Sequence, residues 1–233
     1  MNIALLGYGR MGKSIEEVAI GRNHQICLKI SEPGDTFDFT GCDVAIDFSV
    51  PSAAETNIKK ALDAGIPIIS GTTGWLDNYD TIVEYCRIKN GTFLYASNFS
   101  LGVNIFFEIN KKLSQLMGPL GDYSVTMEEI HHTQKLDAPS GTAISLAEQI
   151  LENTKYKGWV LDESVEDQLN IVAKRIEGVP GTHEVVYTSE IDTINIKHTA
   201  HSRKGFALGA VVAAEWIKDK KGIFTMKDVL NIG

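Results

Sequence analysis

The feature that most constrains the fold is a glycine turn, GYGRMG, at Gly7–Gly12. It follows a short apolar run, NIALL, and precedes a helical pattern with apolar residues at Ile15, Val18 and Ala19. In a strand–turn–helix context, the pattern G-x-G-x-x-G is typical of a turn whose first glycine bends the chain, whose second lets backbone approach a pyrophosphate and whose third packs the helix closely. The next predicted strand ends at Glu32, twenty residues past Gly12, where an acid accepts ribose hydroxyls. A turn that only connects two elements would not explain Glu32, so the pattern predicts a dinucleotide-binding unit.

Short apolar strands alternate with helices of about ten residues up to residue 103, which predicts a parallel sheet with right-handed crossovers. The pattern then changes. A helix at 105–118 and a strand at 122–132 are followed by a helix at 141–154 and by three strand-like segments with short turns. These three segments, at 170–178, 182–190 and 192–201, favour antiparallel pairing. The apolar helix at 205–220 suits burial against the first sheet. The sequence therefore predicts an α/β fold, a Rossmann-type domain with a mixed α+β domain.

Composition excludes several classes of protein. A net charge of −8 and a pI near 5.3 argue against a nucleic-acid partner or an anionic membrane surface. No apolar run reaches the length of a spanning helix, and the amino terminus lacks a basic leader, so we expect a cytoplasmic protein. The three cysteines, Cys27, Cys42 and Cys86, are odd in number and widely spaced, and we expect all three to be reduced.

A polar stretch, EIHHTQKLDAPSGTA at 129–143, raises three alternatives. Adjacent histidines are poorly spaced for a metal site, so we expect no metal, and Ser140 lacks the sequence context of a nucleophile. The third alternative is an anion site, because Ser140 precedes a predicted helix whose first N–H groups, at Gly141 and Thr142, have no partner within the helix. Lys135 adds positive charge, and histidine is the residue type best suited to proton transfer near neutral pH. A solvated loop with Ser140 only as an N-cap stays open.

A nucleotide fold, an anion site and an acid in one chain together predict reduction of a small anionic substrate. Two rivals stay open: a nucleotide-binding regulator without a substrate, and an oxidoreductase of the same build that acts on another dicarboxylate, such as an aspartate dehydrogenase. The loops after two predicted strands, SGTTGW at 70–75 and ASNFS at 96–100, lie at the ligand-binding edge of such a sheet, unless they only turn the chain.

Six segments in order resemble the dihydrodipicolinate reductase family: GYGRMG, GTTG, SNFSLGVN, EIHHTQKLDAPSGTA, GVPGTHEV and HSRKGFALGA. The resemblance implies NAD(P)H-dependent reduction of 4-hydroxy-tetrahydrodipicolinate, a cyclic imine dicarboxylate, in lysine biosynthesis. It implies a dinucleotide-binding domain at 1–103 and 207–233, a substrate-binding and oligomerisation domain at 104–206, and a homotetramer.

The resemblance also implies roles for particular residues. His131 matches the proton donor and Lys135 a second catalytic acid. The expected substrate-binding residues are His132, Ser140, Gly141 and Thr142. The expected cofactor-binding residues are Gly7, Tyr8, Gly9, Arg10, Met11, Gly12, Glu32, Gly71, Thr72, Thr73, Ala96, Ser97, Asn98 and Phe99.

The sequence departs from the family pattern in two places: the segment between the second and third strands is short, and the glycine turn has one residue fewer than the commoner form. Pro33 stands where NADPH-using members often have an arginine, and Glu32 would repel a 2′-phosphate. We therefore expect a preference for NADH over NADPH.

Overall fold

The computed structural model of the protein describes residues 1–32, 34 and 36–232. The chain divides into two compact units, one formed by Met1–Asn104 with Lys204–Gly233 and the other by Ile105–Arg203. Among the described residues, no helix has both the length and the apolar character needed to cross a membrane.

The first unit is built on a sheet of six strands in which every neighbouring pair is parallel. The strands, numbered in chain order over both units, are β1 (Asn2–Leu6), β2 (Gln25–Ile30), β3 (Val44–Asp47), β4 (Ile68–Ser70), β5 (Thr92–Tyr95) and β11 (Gly222–Phe224). Their order across the sheet is β11-β5-β4-β3-β1-β2. The helices are α1 (Arg10–Gly21), α2 (Pro51–Asp63), α3 (Tyr79–Ile88), α6 (Lys204–Ile217) and α7 (Met226–Leu230). The predicted parallel α/β unit is confirmed.

Helices cover both faces of this sheet, which is why its central strands are apolar throughout. Ile3 and Leu5 of β1 belong to the core that includes α1 and the alanine-rich α6, whereas Ala4 and Leu6 belong to the core that includes α2 and α3. The alternation follows from the period of two along a strand. The predicted burial of the 205–220 helix against the first sheet is confirmed.

The carboxyl ends of the central strands lie in register along one edge of the sheet. Leu6 pairs with Asp47, Asp47 with Ser70, and Ser70 with Tyr95. The loops that follow these strands therefore start side by side, which is the arrangement that creates a ligand-binding edge in parallel sheets.

The second unit contains a mixed five-stranded sheet in the order β10-β9-β6-β8-β7. Its strands are β6 (Ser124–His131), β7 (Gly158–Leu161), β8 (Gln168–Arg175), β9 (Gly181–Thr188) and β10 (Thr193–Ala200), and its helices are α5 (Gly141–Leu151) and most of α4 (Leu101–Met117). Alternate residues of β6 are buried, and Val125 and Met127 pack in one core with Leu146 and Ile150 of α5.

The expected antiparallel meander is correct for one pair and wrong for the other. β9 and β10 are antiparallel, but β8 pairs in parallel with β6 and with β7, and β6 lies between β8 and β9. The alternation of buried and less buried residues in β6 suits a strand with one buried face and a neighbouring strand on each side. Which strands become its neighbours depends on tertiary contacts rather than on sequence order. The short β7, GWVL, was missed in the sequence.

The expectation that all three cysteines are reduced is wrong for two of them. Cys27 of the edge strand β2 and Cys42, just before β3, form a disulfide with a Cα–Cα distance of 5.9 Å. The chain after β2 folds back to bring the two residues together, which their spacing in the sequence did not indicate. Cys86 is a buried free thiol, and burial raises its pKa.

Candidate functional site

The glycine turn of the first unit has the geometry that a pyrophosphate site needs. Gly7 has φ +91°, and a Cβ there would lie 2.2 Å from the carbonyl oxygen of Phe48. A Cβ at Gly12 would lie 2.6 Å from the Gly7 carbonyl oxygen, so α1 packs closely on the turn. At Gly9, which precedes α1, a Cβ would meet nothing within 4 Å. The turn is thus closed at Gly7 and Gly12 and open at Gly9, where the positive end of α1 meets an approaching anion.

A cavity of about 390 Å³ lies beside this turn. Gly7, Gly9 and Glu32 line it, as do residues of α2 that include Asn57 and Lys60. Glu32 is exposed at the end of β2, the position expected for contact with ribose hydroxyls. Pro33, which entered the expectation about NADPH, lies outside the described residues. The cavity, the open Gly9 and the helix N-terminus fit a dinucleotide.

A fully buried carboxylate, Asp47, organises the neighbouring loops. Its Oδ2 accepts hydrogen bonds from Thr72 Oγ1 at 2.8 Å and Ser70 Oγ at 2.9 Å. Its Oδ1 accepts from Ser49 Oγ at 2.7 Å and Asn57 Nδ2 at 3.0 Å. Burial raises the pKa of Asp47 against the lowering effect of these four donors. The network fixes the loops after β3 and β4 to α2.

The other expected cofactor residues lie along the same sheet edge. Gly71 sits against Phe48, because a Cβ there would lie 2.4 Å from the ring. The rings of Phe48 and Phe99 are 5.5 Å apart, and Phe99 is buried. Three segments are therefore brought to one edge: 7–12, 71–73 and 96–99. Within them Tyr8 and Met11 are half-buried, Arg10, Thr73 and Ser97 are exposed, and Ala96 and Asn98 are half-buried.

The second unit holds a buried cluster of ionisable side chains around Glu129, which lies two residues before the end of β6. Glu129 is fully buried, and its Oε1 accepts a hydrogen bond from Arg175 Nη2 of β8 at 3.0 Å. Its Oε2 accepts from the Ser140 backbone N–H at 3.0 Å and lies 3.3 Å from Nδ1 of His131. The last contact is an ion pair when the ring is protonated rather than a well-aligned hydrogen bond. Burial acts to raise the pKa of Glu129, but His131, Ser140 and Arg175 outweigh it and lower this pKa to about 2.

Ser140 connects this cluster to the start of α5. It is the N-cap of the helix, since its Oγ accepts from the Ala143 N–H at 3.2 Å, and the same Oγ lies 3.0 Å from Nε2 of His183 on β9. Burial, followed by the effect of neighbouring His131, lowers the pKa of His183 to about 3. Buried groups therefore hold the N-terminus of α5 at Gly141 in place. The dipole of the helix favours an anion bound at this end.

The remaining expected residues lie around the end of β6. His132 Nε2 is 3.5 Å from Nη2 of Arg203. Lys135 Nζ contacts both carboxylate oxygens of Asp137, at 2.8 Å and 2.6 Å, and Arg175 Nη2 donates to the Asp137 carbonyl oxygen at 2.7 Å. The structure thus brings His131 and Ser140 into one cluster and ties the Lys135 loop to it through Arg175.

The cluster also has the spacing of a possible metal site, because ligand atoms of Glu129, His131 and His183 lie within 4.8 Å of one another. Ser140 already bonds to Glu129 and lies within hydrogen-bond distance of His183, and the Arg175 guanidinium contacts the same carboxylate. A divalent cation would have to displace these partners beside a fixed positive charge. These contacts therefore suit proton and anion chemistry better than they suit a metal ion.

Three residues of this cluster were missed as site residues in the sequence. Glu129 stands in the polar stretch and His183 in the segment GVPGTHEV, so both lay within motifs already singled out. Arg175 carried no signal, because its place beside Glu129 depends on the parallel pairing of β6 with β8.

The parallel sheet, glycine turn and adjoining cavity define a nucleotide-binding protein of the Rossmann class. Two family descriptions match the chain: dihydrodipicolinate reductase, N-terminus, over residues 1–99, and dihydrodipicolinate reductase, C-terminus, over residues 102–230. The chain belongs to the dihydrodipicolinate reductase family.

Individual relatives agree with this assignment. The 4-hydroxy-tetrahydrodipicolinate reductase of Christiangramia forsetii is 62% identical, with 99% of this chain and 98% of that protein covered. The enzyme of the same name from Methanococcoides burtonii is 38% identical, with 95% and 86% covered. The structure of dipicolinate-bound dihydrodipicolinate reductase from Paenisporosarcina sp. TG-14 has a TM-score of 0.79 at 20% identity, with 97% of each chain covered, and shows the shared fold.

Proposed function

We propose that the protein is an NAD(P)H-dependent 4-hydroxy-tetrahydrodipicolinate reductase of lysine and diaminopimelate biosynthesis, which forms tetrahydrodipicolinate. One observation of the structure carries the proposal: the acid His131 and the start of α5 contact the same buried carboxylate, Glu129. An acid fixed beside an anion-binding helix N-terminus suits a substrate that carries carboxylates and must accept a proton. The 62% identity to a reductase of this name over nearly the whole chain supports the choice of substrate.

The first unit would bind the cofactor, and NAD(P)H supplies the hydride of the reaction. The glycine turn at 7–12 would take the pyrophosphate at the N-terminus of α1, and Glu32 would accept hydrogen bonds from the ribose hydroxyls. The loops at 71–73 and 96–99 would line the nicotinamide end. Asp47 fixes the first of these loops through Thr72, so the nicotinamide end would be formed before the cofactor binds.

We also propose that NADH is preferred over NADPH. Glu32 lines the cavity beside Gly9, and its carboxylate would repel a 2′-phosphate on the adjoining ribose. A homotetramer, which the family resemblance implies, and the cytoplasmic location expected from the sequence are further parts of the proposal. Light scattering of the purified protein would test the tetramer directly.

The second unit would bind the substrate. Gly141 and Thr142 at the N-terminus of α5 would hold one carboxylate, and the imidazole of His132, with Arg203 at 3.5 Å, would attract another. Ser140 would act through the backbone, because its hydroxyl is the N-cap of α5. Lys135 would exchange its contact with Asp137 for a substrate carboxylate.

Two acids would serve the proton transfer. The 4-hydroxyl group would first leave as water, which gives the unsaturated ring of dihydrodipicolinate. Hydride would then add to this ring, and His131 would give a proton to the neighbouring ring position. Lys135 would assist as a second acid and as a positive charge. Because His131 Nδ1 faces Glu129, Nε2 is the ring nitrogen left to deliver the proton.

An absorbance assay at the NADH band tests the proposal. The reductase oxidises NADH when enzymatically generated 4-hydroxy-tetrahydrodipicolinate is supplied and not when oxaloacetate and ammonia are supplied. The reverse result would identify an aspartate dehydrogenase. Binding of NADH without oxidation under either condition would identify a nucleotide-binding regulator.

A further inference from the structure

Glu129 is a fully buried carboxylate that touches both halves of the proposed substrate site. On one side it lies 3.3 Å from His131, the proposed proton donor. On the other side it accepts the backbone N–H of Ser140, the residue that caps the carboxylate-binding end of α5. A single side chain therefore holds the acid and the anion site in a fixed relation.

We propose that Glu129 is a positioning residue that couples proton donation by His131 to carboxylate binding at the start of α5. The proposal rests on the proposed function and adds to it a residue that does not itself touch the substrate. Glu129 acts through its neighbours, by the orientation and the charge that it imposes on them.

The first effect is on the His131 ring. A carboxylate beside Nδ1 favours the tautomer that carries the proton there and stabilises the imidazolium, in the way that a buried aspartate orients the histidine of a catalytic triad. Nε2 then faces away from Glu129. Without the carboxylate, the ring would lose both its preferred tautomer and a countercharge for its protonated form.

The second effect is on the start of α5. The Glu129 carboxylate accepts the Ser140 N–H, while His183 lies 3.0 Å from the Ser140 hydroxyl, so both polar groups of the N-cap are engaged from the buried side. The carboxylate is also linked to the Lys135 loop, because Arg175 donates both to Glu129 and to the Asp137 carbonyl oxygen. Movement of the Glu129 carboxylate would therefore disturb every group proposed to bind the substrate's carboxylates on that side.

The surrounding charges keep Glu129 ionised, so it does not compete as a proton donor. Arg175 on β8 and His183 on β9 lie within ion-pair distance of Glu129. Lys135, in the loop after β6, and His198 on β10 act on His183, and Glu129 acts on Asp137. Arg175 supplies a guanidinium charge, and the lowered pKa of His183 keeps that ring neutral near neutral pH. The charge that His131 meets from Glu129 is therefore constant over the working range of the enzyme.

The test compares Glu129→Gln with a matched control, Glu128→Gln. Glu128 precedes Glu129 on β6, is half-buried and pairs with Lys174 outside the cluster. We expect Glu129→Gln to lower kcat by about a hundredfold and to change the pH profile of kcat, because the proton donor loses the carboxylate 3.3 Å from its Nδ1. Glu129→Asp keeps the charge and should restore the pH profile more fully than it restores kcat. Glu128→Gln should match the unaltered protein in both measurements.

Two measurements are independent of turnover. Calorimetry with dipicolinate as the probe should show weaker binding to Glu129→Gln than to Glu128→Gln. Nitrogen-15 NMR of the unaltered protein, with the His131 signal assigned by His131→Gln, should find the neutral ring with its proton on Nδ1. This second measurement needs no variant of Glu129 that folds.

The outcomes separate the two proposals. Failure of the unaltered protein to oxidise NADH with 4-hydroxy-tetrahydrodipicolinate would refute the proposed function, while the His131 tautomer would still report the contact with Glu129. An active enzyme whose Glu129→Gln variant keeps the kcat, pH profile and dipicolinate affinity of the control would refute the positioning role. A neutral His131 ring protonated on Nε2 would refute it as well.

Discussion

The two units each contain a fully buried carboxylate with several polar partners, and the difference between them separates two kinds of site. Asp47 in the first unit accepts hydrogen bonds from four neutral donors, and burial raises its pKa. Glu129 in the second unit meets Arg175 and His131 as well as a backbone N–H, and its pKa falls to about 2 despite burial. The neutral donors around Asp47 fix the positions of the loops, whereas the cationic partners of Glu129 keep its carboxylate ionised.

The difference matches the task proposed for each region. The loops around Asp47 must fit a large cofactor, and hydroxyl and amide donors fix their backbone without placing a strong field in the cavity. The cluster around Glu129 must keep an acid and an anion site ready, for which a constant negative charge beside an imidazole is useful. We infer that the first region binds its ligand mainly through the shape of the cavity, and that the second binds its ligand mainly through electrostatic attraction.

The largest effect is expected in the second region, from His131→Gln. Loss of a general acid typically lowers kcat by about two to four orders of magnitude, and substrate affinity should change less because the helix N-terminus remains. Steady-state kinetics with varied 4-hydroxy-tetrahydrodipicolinate would measure both quantities. His201→Gln, which alters an exposed histidine, is the control. Near-normal turnover in His131→Gln would remove His131 from the mechanism.

The second prediction concerns opposite pH dependences of stability. Glu129 has a folded pKa of about 2 against an ordinary 4.5, so its stabilisation is present above pH 4.5 and is lost as the pH falls towards 2. Its size is about 3 kcal/mol. Asp47 has a raised pKa, so the folded protein takes up its proton more readily than the unfolded chain, and Asp47 favours folding more as the pH falls through that raised pKa.

Urea unfolding followed by hydrogen exchange, which reports on each unit separately, would measure these slopes in Glu129→Gln and Asp47→Asn. As the pH is lowered, the advantage of the unaltered protein over Glu129→Gln should shrink. Over the same change, its advantage over Asp47→Asn should grow. Slopes of the same sign for both variants would contradict the contrast between the two carboxylates.

The sequence predicted the first region better than the second, and the reason is physical. The glycine turn and its flanking strand and helix are specified locally, by close packing at Gly12 and the positive φ of Gly7. The edge that collects the loops at 71–73 and 96–99 then follows from parallel pairing. The disulfide between Cys27 and Cys42 is the exception, since it depends on how the chain after β2 folds back.

The second region depends on contacts between residues far apart in the chain. His131 and Ser140 stand in one stretch and were found together, but Arg175 and His183 come from strands whose partners were assigned wrongly or not at all. The predicted meander would have placed β8 beside β9, away from Glu129. The acid and the anion site were therefore predictable from the sequence, and the buried carboxylate that joins them was not.

A smaller effect is expected in the first region from Asp47→Asn. The amide replaces one acceptor oxygen with a donor, so Thr72 or Ser49 loses its present partner and the 71–73 loop is held less firmly. The KM for NADH should rise by about three- to tenfold, the effect of losing about one hydrogen bond, while the pH profile of kcat stays unchanged. Asp219→Asn, at an exposed position of the same unit, is the control. A changed pH profile of kcat would show that the charge of Asp47 affects catalysis, in addition to its hydrogen bonds that fix the loop.

The smallest effect is expected from Glu32→Gln. This substitution tests whether a charge in the first region contributes to the discrimination between NADH and NADPH. Glu32 is exposed at the rim of the cavity, so its repulsion of a 2′-phosphate is screened by solvent. Removing its charge should raise the ratio of kcat/KM for NADPH to that for NADH by about three- to tenfold, and Glu84→Gln, an exposed change on α3, should leave the ratio unchanged. Lys60 lines the same cavity and would remain to attract the phosphate. If the ratio does not move in Glu32→Gln and falls in Lys60→Ala, the discrimination between the two cofactors comes from Lys60, and Glu32 serves only the ribose hydroxyls.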